Sequence, residues 1–368
     1  MVARQGGFEI CALAAGGNYK LLAEQARQFN VPRVALAQGD AAGALKELLP
    51  ATTQLMAGPS AMTEIIHASQ PDVVLSGVVG AAGLGPTLAA IDVGADLAIA
   101  NKETLVMAGA IVMPAARARK ISILPVDSEH SAIFQCLAAG RRDEVRRVVI
   151  TGSGGSLRNR SDEQAAQATV ADALNHPTWD MGPKITIDSA TMINKALEVV
   201  EAHWLFDLPA EQIEVLQHPQ SIVHSYVEFH DGSIIAQMGW PDMMLPIAYA
   251  LSFPRRPRRE TPSLDLAQVG TLNFSALAGR CRRAVELGFE AIRRGGLAGA
   301  ALSGANERAV AAFLEGRISF GRLVPLVEAA LNSTPACGEV TLEALIEADA
   351  WARRKVDECI AATADARP

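Results

Sequence analysis

The sequence has little of what marks secreted, zinc-binding or nucleic-acid-binding proteins. Its five cysteines among 368 residues are scattered and form no Cys-x-x-Cys pair, so we expect neither a disulfide framework nor a zinc site, and a reducing cytoplasm is the natural compartment. Its 33 Lys and Arg residues are fewer than its 40 Asp and Glu residues, and the net charge of -7 argues against nucleic acid as the main partner. The first residues lack the pattern of a signal or transit peptide, and no leader is expected.

Long apolar runs are also missing. The uncharged stretch that approaches the length of a membrane span, residues 73–91, is interrupted by Gly77, Gly80, Gly83, Gly85 and Pro86. We interpret it as a buried strand, a glycine turn and the start of a helix, and expect no membrane partner. With 49% apolar and 20% charged residues the composition is that of a globular protein, and the length predicts two or three domains.

The first third of the chain alternates short apolar runs with helical patterns. The runs predict strands at 8–15, 31–37, 72–79, 97–100 and 122–126, and the patterns predict helices at 19–29, 41–49, 86–93 and 102–120. This alternation indicates βαβ units and a mostly parallel sheet. Because ligands bind at the carboxyl ends of such strands, three groups that stand there are candidates, namely Gly16-Gly17-Asn18, Asn101-Lys102-Glu103 and Asp127-Ser128-Glu129.

The remainder of the chain predicts a mixed region followed by helices. A strand at 147–151 leads into the loop TGSGGS, and residues 175–189 look irregular. A helix is predicted over 190–206, and the alternating runs 218–228 and 233–239, split by Asp231-Gly232, predict a hairpin. Pro254–Ser263 has the composition of a linker. Four Ala/Leu-rich amphipathic patterns predict helices at 276–295, 300–314, 320–331 and 342–362.

Three carboxylates suggest a metal site. Asp127 and Glu129 follow a strand two residues apart, and an extended backbone would direct both to one side. A hard divalent cation would relieve their repulsion, whereas the simpler interpretation is a solvated turn or a helix N-cap. In the predicted helix, Asn194, Lys195, Glu198 and Glu201 share one face, so Glu198 is a third candidate ligand; an exposed Lys195–Glu198 ion pair is the alternative.

Two further stretches are candidates for anion binding. The residues DSAT before the helix read as an N-cap cluster, and the small residues of TGSGGS allow backbone N–H groups to converge on phosphate oxygens, although such a loop is often only a flexible turn. His176 is a candidate proton donor or phosphate contact. Trp179 is interpreted either as a lid residue or as an anchor that fixes its loop to the core.

Several long blocks, in a fixed order, carry a resemblance that extends from about Phe8 to the last helix. They are VGAAGLGPTLAAI, ANKETLVMAG, LPVDSEHSAIFQCL, ITGSGG, HPTWDMGPKITIDSATMINKALEVVEAHWLF, HPQSIVHS and GANERAVAAFL. Together they resemble one family, the 1-deoxy-D-xylulose 5-phosphate reductoisomerases, which use NADPH and a divalent metal in the non-mevalonate pathway of isoprenoid biosynthesis. The resemblance implies an α/β protein with three parts: an incomplete Rossmann-like parallel-sheet domain (1–121), an α+β catalytic domain (122–253, lid about 153–183) and, after a linker (254–275), a helical domain (276–368).

The resemblance also implies roles for individual residues. The metal, Mg²⁺, Mn²⁺ or Co²⁺, would be bound by Asp127, Glu129 and Glu198. The substrate, a sugar phosphate, would be held by Lys102, Ser128, Ser153, His176, Ser189, Asn194 and Lys195, with its phosphate at Ser153, Ser189, Asn194 and Lys195, and Trp179 would close over it. NADPH would be contacted by Gly16, Gly17, Asn18, Asn101, Glu103, Met181 and Gly182. A cytoplasmic homodimer is implied as well.

One departure from the family concerns the beginning of the sequence. Members of the family open with a strand, a GxTGSxG loop and a helix that form the pyrophosphate site, and this segment has no counterpart before MVARQGGFEI. A misplaced start and a real truncation both account for it, and a real truncation predicts weak NADPH binding. The alternatives to a reductoisomerase are a form that retains only sugar-phosphate and metal binding, and a metal-dependent isomerase or aldolase that uses no nicotinamide.

Overall fold

The computed structural model describes residues 7–258 and 262–364. Parts of the predicted first domain, linker and last domain, at residues 1–6, 259–261 and 365–368, lie outside the described residues. The chain divides into two compact units. The first comprises Met1–Asn101, Pro114–Leu124 and Ile247–Pro257, and the second comprises Lys102–Met113, Pro125–Pro246 and Arg258–Pro368.

The first unit alternates strands and helices, as the sequence predicts. In chain order its elements are β1 (Leu13–Ala15), α1 (Tyr19–Gln28), β2 (Arg33–Leu36), α2 (Ala42–Leu48), β3 (Gln54–Ala57), α3 (Ala61–Ser69), β4 (Val73–Ser76), α4 (Leu84–Val93), β5 (Asp96–Ile99), α5 (Lys102–Arg119) and β6 (Ile123–Pro125). The last residue of β6 and the first part of α5 fall in the second unit. The strand β3 and the helix α3 were not predicted.

The strands of the first unit form two three-stranded sheets rather than one. One sheet has the order β1-β2-β3, with all neighbours parallel and Leu13 opposite Val34. The other has the order β4-β5-β6, with β4 and β5 parallel. Apolar faces of the helices cover the sheets: Leu22 of α1 packs with Val34 and Leu36, and Ile65 of α3 packs in a second cluster. The predicted parallel βαβ arrangement is thus confirmed.

The second unit contains a mixed sheet flanked by helices. Its remaining elements are α6 (Ser128–Leu137), β7 (Val145–Gly152), α7 (Asp162–Ala166), α8 (Val170–Leu174), α9 (Pro183–Thr191), α10 (Ile193–Phe206), β8 (Ile213–Gln217), β9 (Val223–Phe229), β10 (Ile234–Met238), α11 (Met244–Ser252, divided between the units), α12 (Leu266–Val269), β11 (Ser275–Ala276), α13 (Gly279–Arg294), α14 (Ala298–Leu314), α15 (Leu323–Asn332) and α16 (Leu342–Ala364). The sheet order is β10-β9-β7-β8-β11. Only β7 and β8 are parallel among its neighbouring pairs.

Helix α10 is fixed at the centre of the second unit by close backbone packing. Its residues Leu197 and Val200 belong to a large apolar core shared with α6, β7 and the C-terminal helices. Gly288 of α13 lies so close to it that a Cβ at this position would be 2.2 Å from the Ala196 carbonyl oxygen. A glycine at 288 therefore lets α13 approach the backbone of α10, the helix that carries Lys195 and Glu198.

Two parts of the predicted pattern are wrong in detail. The helix expected over 190–206 is two helices, because Met192 has a left-handed backbone (φ 68°) between α9 and α10, and α9 extends into the stretch predicted to be irregular. The strand expected from His218 begins only at Val223, because the His218 ring accepts the N–H groups of Ile222 and Val223 in a turn. The predicted hairpin with β10 and the C-terminal helices are confirmed.

Over residues 7–258 and 262–364, every helix is too short or too polar to cross a membrane.

Candidate active site

Three carboxylates meet at one place in the second unit. Asp127, Glu129 and Glu198, here called the acidic cluster, bring one oxygen each to within 4.8 Å of the others. Asp127 precedes α6, where its Oδ1 accepts the N–H of Glu129 at 3.1 Å, and Glu129 lies in the first turn of that helix. The argument from an alternating strand is therefore wrong, and the N-cap interpretation is right; the carboxylates nevertheless converge because α10 brings Glu198 to the same point.

Two buried lysines neutralise much of this negative charge. Lys102 Nζ lies 2.7 Å from Asp127 Oδ2 and 3.2 Å from Glu198 Oε1, and it donates to Asn194 Oδ1 at 2.7 Å. Lys195 Nζ lies 2.7 Å from Glu198 Oε2 and also contacts Glu129. Lys195 and Glu198 are 6% and 0% exposed, so their pair is not the exposed surface pair considered as an alternative.

Burial acts on two ionisable groups of this site, Glu198 and Lys102. Burial raises the pKa of Glu198 above its ordinary value, and the negative charge of Glu129 adds to the rise. Burial also opposes the charged form of Lys102, but Asp127 and Glu198 outweigh it and hold the pKa of Lys102 well above its ordinary value. The acidic cluster is thus an electrostatically costly group of oxygens that positive charge stabilises.

The donor set of the acidic cluster fits a hard divalent cation. Mg²⁺ and Mn²⁺ prefer carboxylate oxygens, and Mg²⁺ sites commonly combine a few carboxylates with oxygens of a substrate. The side chain of Ser128, at the start of α6, donates to Glu129 and so belongs to the same polar group. Asp127, Glu129 and Glu198 would therefore suit a divalent cation whose further ligands would come from a substrate.

The glycine loop after β7 packs directly against the two helices of the site. Gly154 and Gly155 have left-handed backbones (φ 85° and 71°), and a Cβ at Gly155 would lie 2.4 Å from the Ser189 carbonyl oxygen. A Cβ at Gly152 would meet Lys195 Cε at 3.0 Å. The small residues of TGSGGS thus allow the loop to come close to Ser189 and Lys195, and the structure brings these predicted substrate residues together.

The residues DSAT do not cap a helix, which corrects the sequence interpretation. They form the last turn of α9, and the Ser189 carbonyl accepts the N–H of Met192. Helix α10 begins at Ile193, whose N–H donates to Thr191 Oγ1 at 3.3 Å. Ser189 therefore lies at the carboxyl end of α9, so the interpretation of DSAT as an N-cap cluster is wrong.

His176 contacts the glycine loop as a neutral imidazole. Its Nδ1 accepts the N–H groups of Thr178 and Trp179 at 3.1 and 3.0 Å, so the proton resides on Nε2, which lies 3.2 Å from Ser153 Oγ. Burial, together with the positive charges of Arg158 and Lys195, lowers the pKa of His176 to about 4. His176 is therefore a neutral donor across the physiological range.

The segment that contains His176 also lines an open pocket. Residues 174–181 and Thr186 surround about 330 Å³, and Trp179 and Met181 are half-buried in this wall. Gly182 follows as the residue before α9, which starts with Pro183. Residues 174–181 therefore line this pocket and lead directly into α9.

The predicted cofactor residues have identifiable structural roles. In the first unit, Asn18 caps α1 by accepting the Leu21 N–H, directly after Gly16 and Gly17, and the Asn101 amide donates to the carbonyls of Val78 and Gly80 at 2.6 and 3.0 Å. In the second unit, Glu103 accepts from Lys184 Nζ at 2.6 Å. Lys184 in turn pairs with the buried Asp188 at 2.7 Å.

Three buried residues beside the acidic cluster were not assigned a role from the sequence. His130 lies between Asp127 and Glu201, which together form a second group within 4.8 Å. His224 faces the charge of Glu129, and burial lowers its pKa. The available sequence signal was spacing: His130 and Glu201 each follow a residue of the acidic cluster by three positions, one turn of a helix.

Comparison with known proteins identifies the family. The profile described as 1-deoxy-D-xylulose 5-phosphate reductoisomerase matches residues 1–109, and profiles of the C-terminal domain of this enzyme match residues 123–206 and 238–355. The curated 1-deoxy-D-xylulose 5-phosphate reductoisomerase of Gloeobacter violaceus is 48% identical over 95% of this chain and 90% of its own length. That of Pelodictyon phaeoclathratiforme is 47% identical over 96% and 93%.

Solved structures agree with the profiles. The reductoisomerase from Zymomonas mobilis in complex with NADPH superposes with a TM-score of 0.89 at 41% identity, covering 96% of this chain and 92% of that one. A DOX-P reductoisomerase in complex with NADPH, fosmidomycin and magnesium gives 0.91 at 38% identity, covering 98% and 94%. The chain belongs to the 1-deoxy-D-xylulose 5-phosphate reductoisomerase family.

Proposed function

We propose that this chain isomerises and reduces 1-deoxy-D-xylulose 5-phosphate to 2-C-methyl-D-erythritol 4-phosphate with NADPH and a divalent cation, in non-mevalonate isoprenoid biosynthesis. The observation that carries the proposal is the acidic cluster, held by Lys102 and Lys195 beside the glycine loop. Family membership supports it, since relatives of this name have been solved with NADPH and with magnesium.

In this proposal Asp127, Glu129 and Glu198 hold the cation, which is Mg²⁺, Mn²⁺ or Co²⁺. The bound cation supplies Lewis acidity to substrate oxygens on which charge develops while the carbon skeleton rearranges. Lys102 and Asn194, already hydrogen-bonded to each other, are placed to hold the substrate beside the acidic cluster. Ser128 donates to Glu129 and orients that carboxylate.

The substrate phosphate is proposed to bind where the glycine loop meets the helices. Ser153, Ser189, Asn194 and Lys195 supply hydroxyl, amide and ammonium donors there, and the close approach of Gly155 to Ser189 supports this grouping. The Nε2–H of His176 points at Ser153 and is a donor that stays neutral at physiological pH. A neutral donor adds a hydrogen bond to the phosphate without competing with Lys195 for its charge.

The reduction step requires a site closed to water. Trp179 is proposed to cover the substrate, with Met181 near the nicotinamide, since a covering loop excludes water from a hydride transfer. Residues proposed to contact NADPH are Gly16, Gly17, Asn18, Asn101, Glu103 and Gly182. We propose the domain division 1–121, 122–253 with lid 153–183, 254–275 and 276–368 on the same basis.

A cytoplasmic homodimer is proposed as the working form. Support for the dimer comes from the edge strand β10, where Ile234 and Ile235 are 55% and 39% exposed on a strand with one free edge among the described residues. All five cysteines are free thiols, as expected in a reducing compartment. Sedimentation equilibrium of the purified protein tests the dimer, and a monomer mass at micromolar concentration would contradict it.

Steady-state kinetics test the proposed reaction. NADPH oxidation should depend on both 1-deoxy-D-xylulose 5-phosphate and Mg²⁺ or Mn²⁺, and Glu198→Gln should abolish it because a buried ligand carboxylate is lost. Glu211→Gln, an equal change of charge at an exposed glutamate, should leave the rate unchanged. Substrate turnover without NADPH oxidation would favour an isomerase or aldolase, and metal and sugar-phosphate binding without turnover would favour the binding-only form.

A further inference from the structure

Glu201 is a fully buried carboxylate that the proposed mechanism does not use. It lies one turn after Glu198 on α10 and is 0% exposed. Among the described residues, neither of its carboxylate oxygens has a hydrogen-bond partner of good geometry. Burying a carboxylate is costly unless it is paired or hydrogen-bonded, so a residue of this kind calls for a specific explanation.

The group nearest to Glu201 is the imidazole of His130, also 0% exposed. His130 Nδ1 lies 3.3 Å from Glu201 Oε2 and 3.2 Å from Asp127 Oδ1. On the other side of the ring, Nε2 lies 2.9 Å from the carbonyl oxygen of Glu198. The two Nδ1 contacts are within ion-pair distance, but among the described residues Nδ1 has no hydrogen bond of good geometry. His130 therefore joins α6 to α10 at two residues of the acidic cluster.

The two carboxylates compete for one side of this ring. Asp127 Oδ1 already accepts the Glu129 N–H, and Asp127 Oδ2 contacts Lys102, so Asp127 has other partners. Glu201 has only the ring, among the described residues. A carboxylate behind a histidine fixes the rotation of the imidazole, in the way that outer carboxylates orient histidines in metal sites. Here the histidine itself contacts a ligand residue rather than the metal.

We propose that Glu201 is a positioning residue for the metal site: it fixes the His130 ring, which in turn sets the Asp127 carboxylate and the Glu198 backbone. The inference rests on the proposed metal-dependent function. Glu201 does not touch substrate or cofactor in this account and acts only through His130. We expect the effect on metal affinity rather than on folding, because burying the Glu201 carboxylate is itself costly and Asp127 remains beside His130 when Glu201 is changed.

A Mn²⁺ titration of the full-length chain, followed by the electron paramagnetic resonance of free Mn²⁺ without NADPH or substrate, tests this role. Glu201→Gln keeps the shape of the side chain and removes its charge, and it should weaken Mn²⁺ binding by roughly 10- to 100-fold, the usual effect of losing an outer partner. Its melting temperature should not fall. Glu211→Gln, at an exposed position, is the matched control and should bind Mn²⁺ as the unmodified chain does. Unchanged affinity in Glu201→Gln would overturn the proposal.

A double-mutant cycle tests whether the effect passes through His130. If it does, Glu201→Gln combined with His130→Gln should lose no more Mn²⁺ affinity than His130→Gln alone, whereas additive losses would overturn the proposal. If Glu201→Gln does not fold, Glu201→Asp is the second variant, because it keeps the negative charge but moves it away from the His130 ring. This variant should show a smaller but measurable loss of Mn²⁺ affinity, and full affinity would overturn the proposal. These results are distinct from the proposed function, which fails only if the unmodified chain does not oxidise NADPH with its substrate.

Discussion

Replacement of Gly288 by alanine should destabilise the protein and displace the acidic cluster at the same time. The added Cβ would lie 2.2 Å from the Ala196 carbonyl oxygen, where ordinary contact begins near 3.4 Å, so α13 and α10 must separate by about 1 Å. Overpacking of this kind costs about 1–3 kcal/mol. The better helix propensity of alanine offsets roughly 0.5–1 kcal/mol of this cost, so we expect a net loss of up to about 2.5 kcal/mol.

The same displacement reaches the site because Ala196 lies between Lys195 and Glu198 on α10. A misplacement of ~1 Å can reduce turnover by about 100-fold. Urea denaturation and NADPH oxidation should therefore both show a loss for Gly288→Ala. Gly43→Ala in α2 is the matched control, since Gly43 is exposed with no atom within 4 Å of its Cβ position, and it should gain roughly 0.5–1 kcal/mol. Stability and activity equal to the unmodified chain in Gly288→Ala would refute the close packing.

Two further predictions concern other buried polar groups of the second unit. Asn306→Ala removes the amide that donates to Asp188 Oδ1 at 2.8 Å, and because both side chains are buried, urea denaturation should show a loss of about 1–3 kcal/mol; an unchanged midpoint would contradict this. The pKa of His176 is lowered from an ordinary 6.5 to about 4 in the folded chain. As the pH falls, the imidazole is therefore protonated in the unfolded chain before it is protonated in the folded chain. Its contribution to stability is complete above pH 6.5 and is lost as the pH falls through about 4. An NMR titration of the ring with a midpoint at or above 6.5 would disprove it.

Local signals were sufficient to predict most of the first unit. Short apolar runs separated by helical patterns predicted the strands β1, β2, β4, β5 and β6. For most of the strand ends, the predicted and the observed positions differ by only a few residues. The strand β3 (Gln54–Ala57) gave a weak signal, because it is short, its end residues are exposed, and Leu55 and Met56 between them are only half-buried. The helix α3 follows directly and was missed with it.

The break between α9 and α10 could not be found in the sequence. Methionine is a good helix former, and nothing in its neighbours marks position 192 as left-handed. The conformation is fixed by contacts made after folding: Met192 is 2% exposed, and Thr191 Oγ1 receives the N–H of Ile193 while it donates to the Ile187 carbonyl. Tertiary packing decided this backbone, not propensity.

At the site, the sequence named Asp127, Glu129 and Glu198 as candidates, and the structure brings these side chains together. Asp127 and Glu129 converge at the start of a helix, where Asp127 is the N-cap, and not on the extended strand that the sequence argument assumed. His130 and Glu201 carried only an ordinary helical spacing from Asp127 and Glu198. Their contact depends on how α6 packs against α10, which no local pattern encodes.

The most direct test of the central claim is the position of a bound metal ion. Crystals of the full-length chain soaked in Mn²⁺ should show a single anomalous peak within coordination distance of Asp127, Glu129 and Glu198, the acidic cluster. His130 and Glu201 should remain outside the coordination sphere, with His130 still between Glu201 and Asp127. A peak coordinated by Asp127, His130 and Glu201, or no peak at either group, would contradict the account.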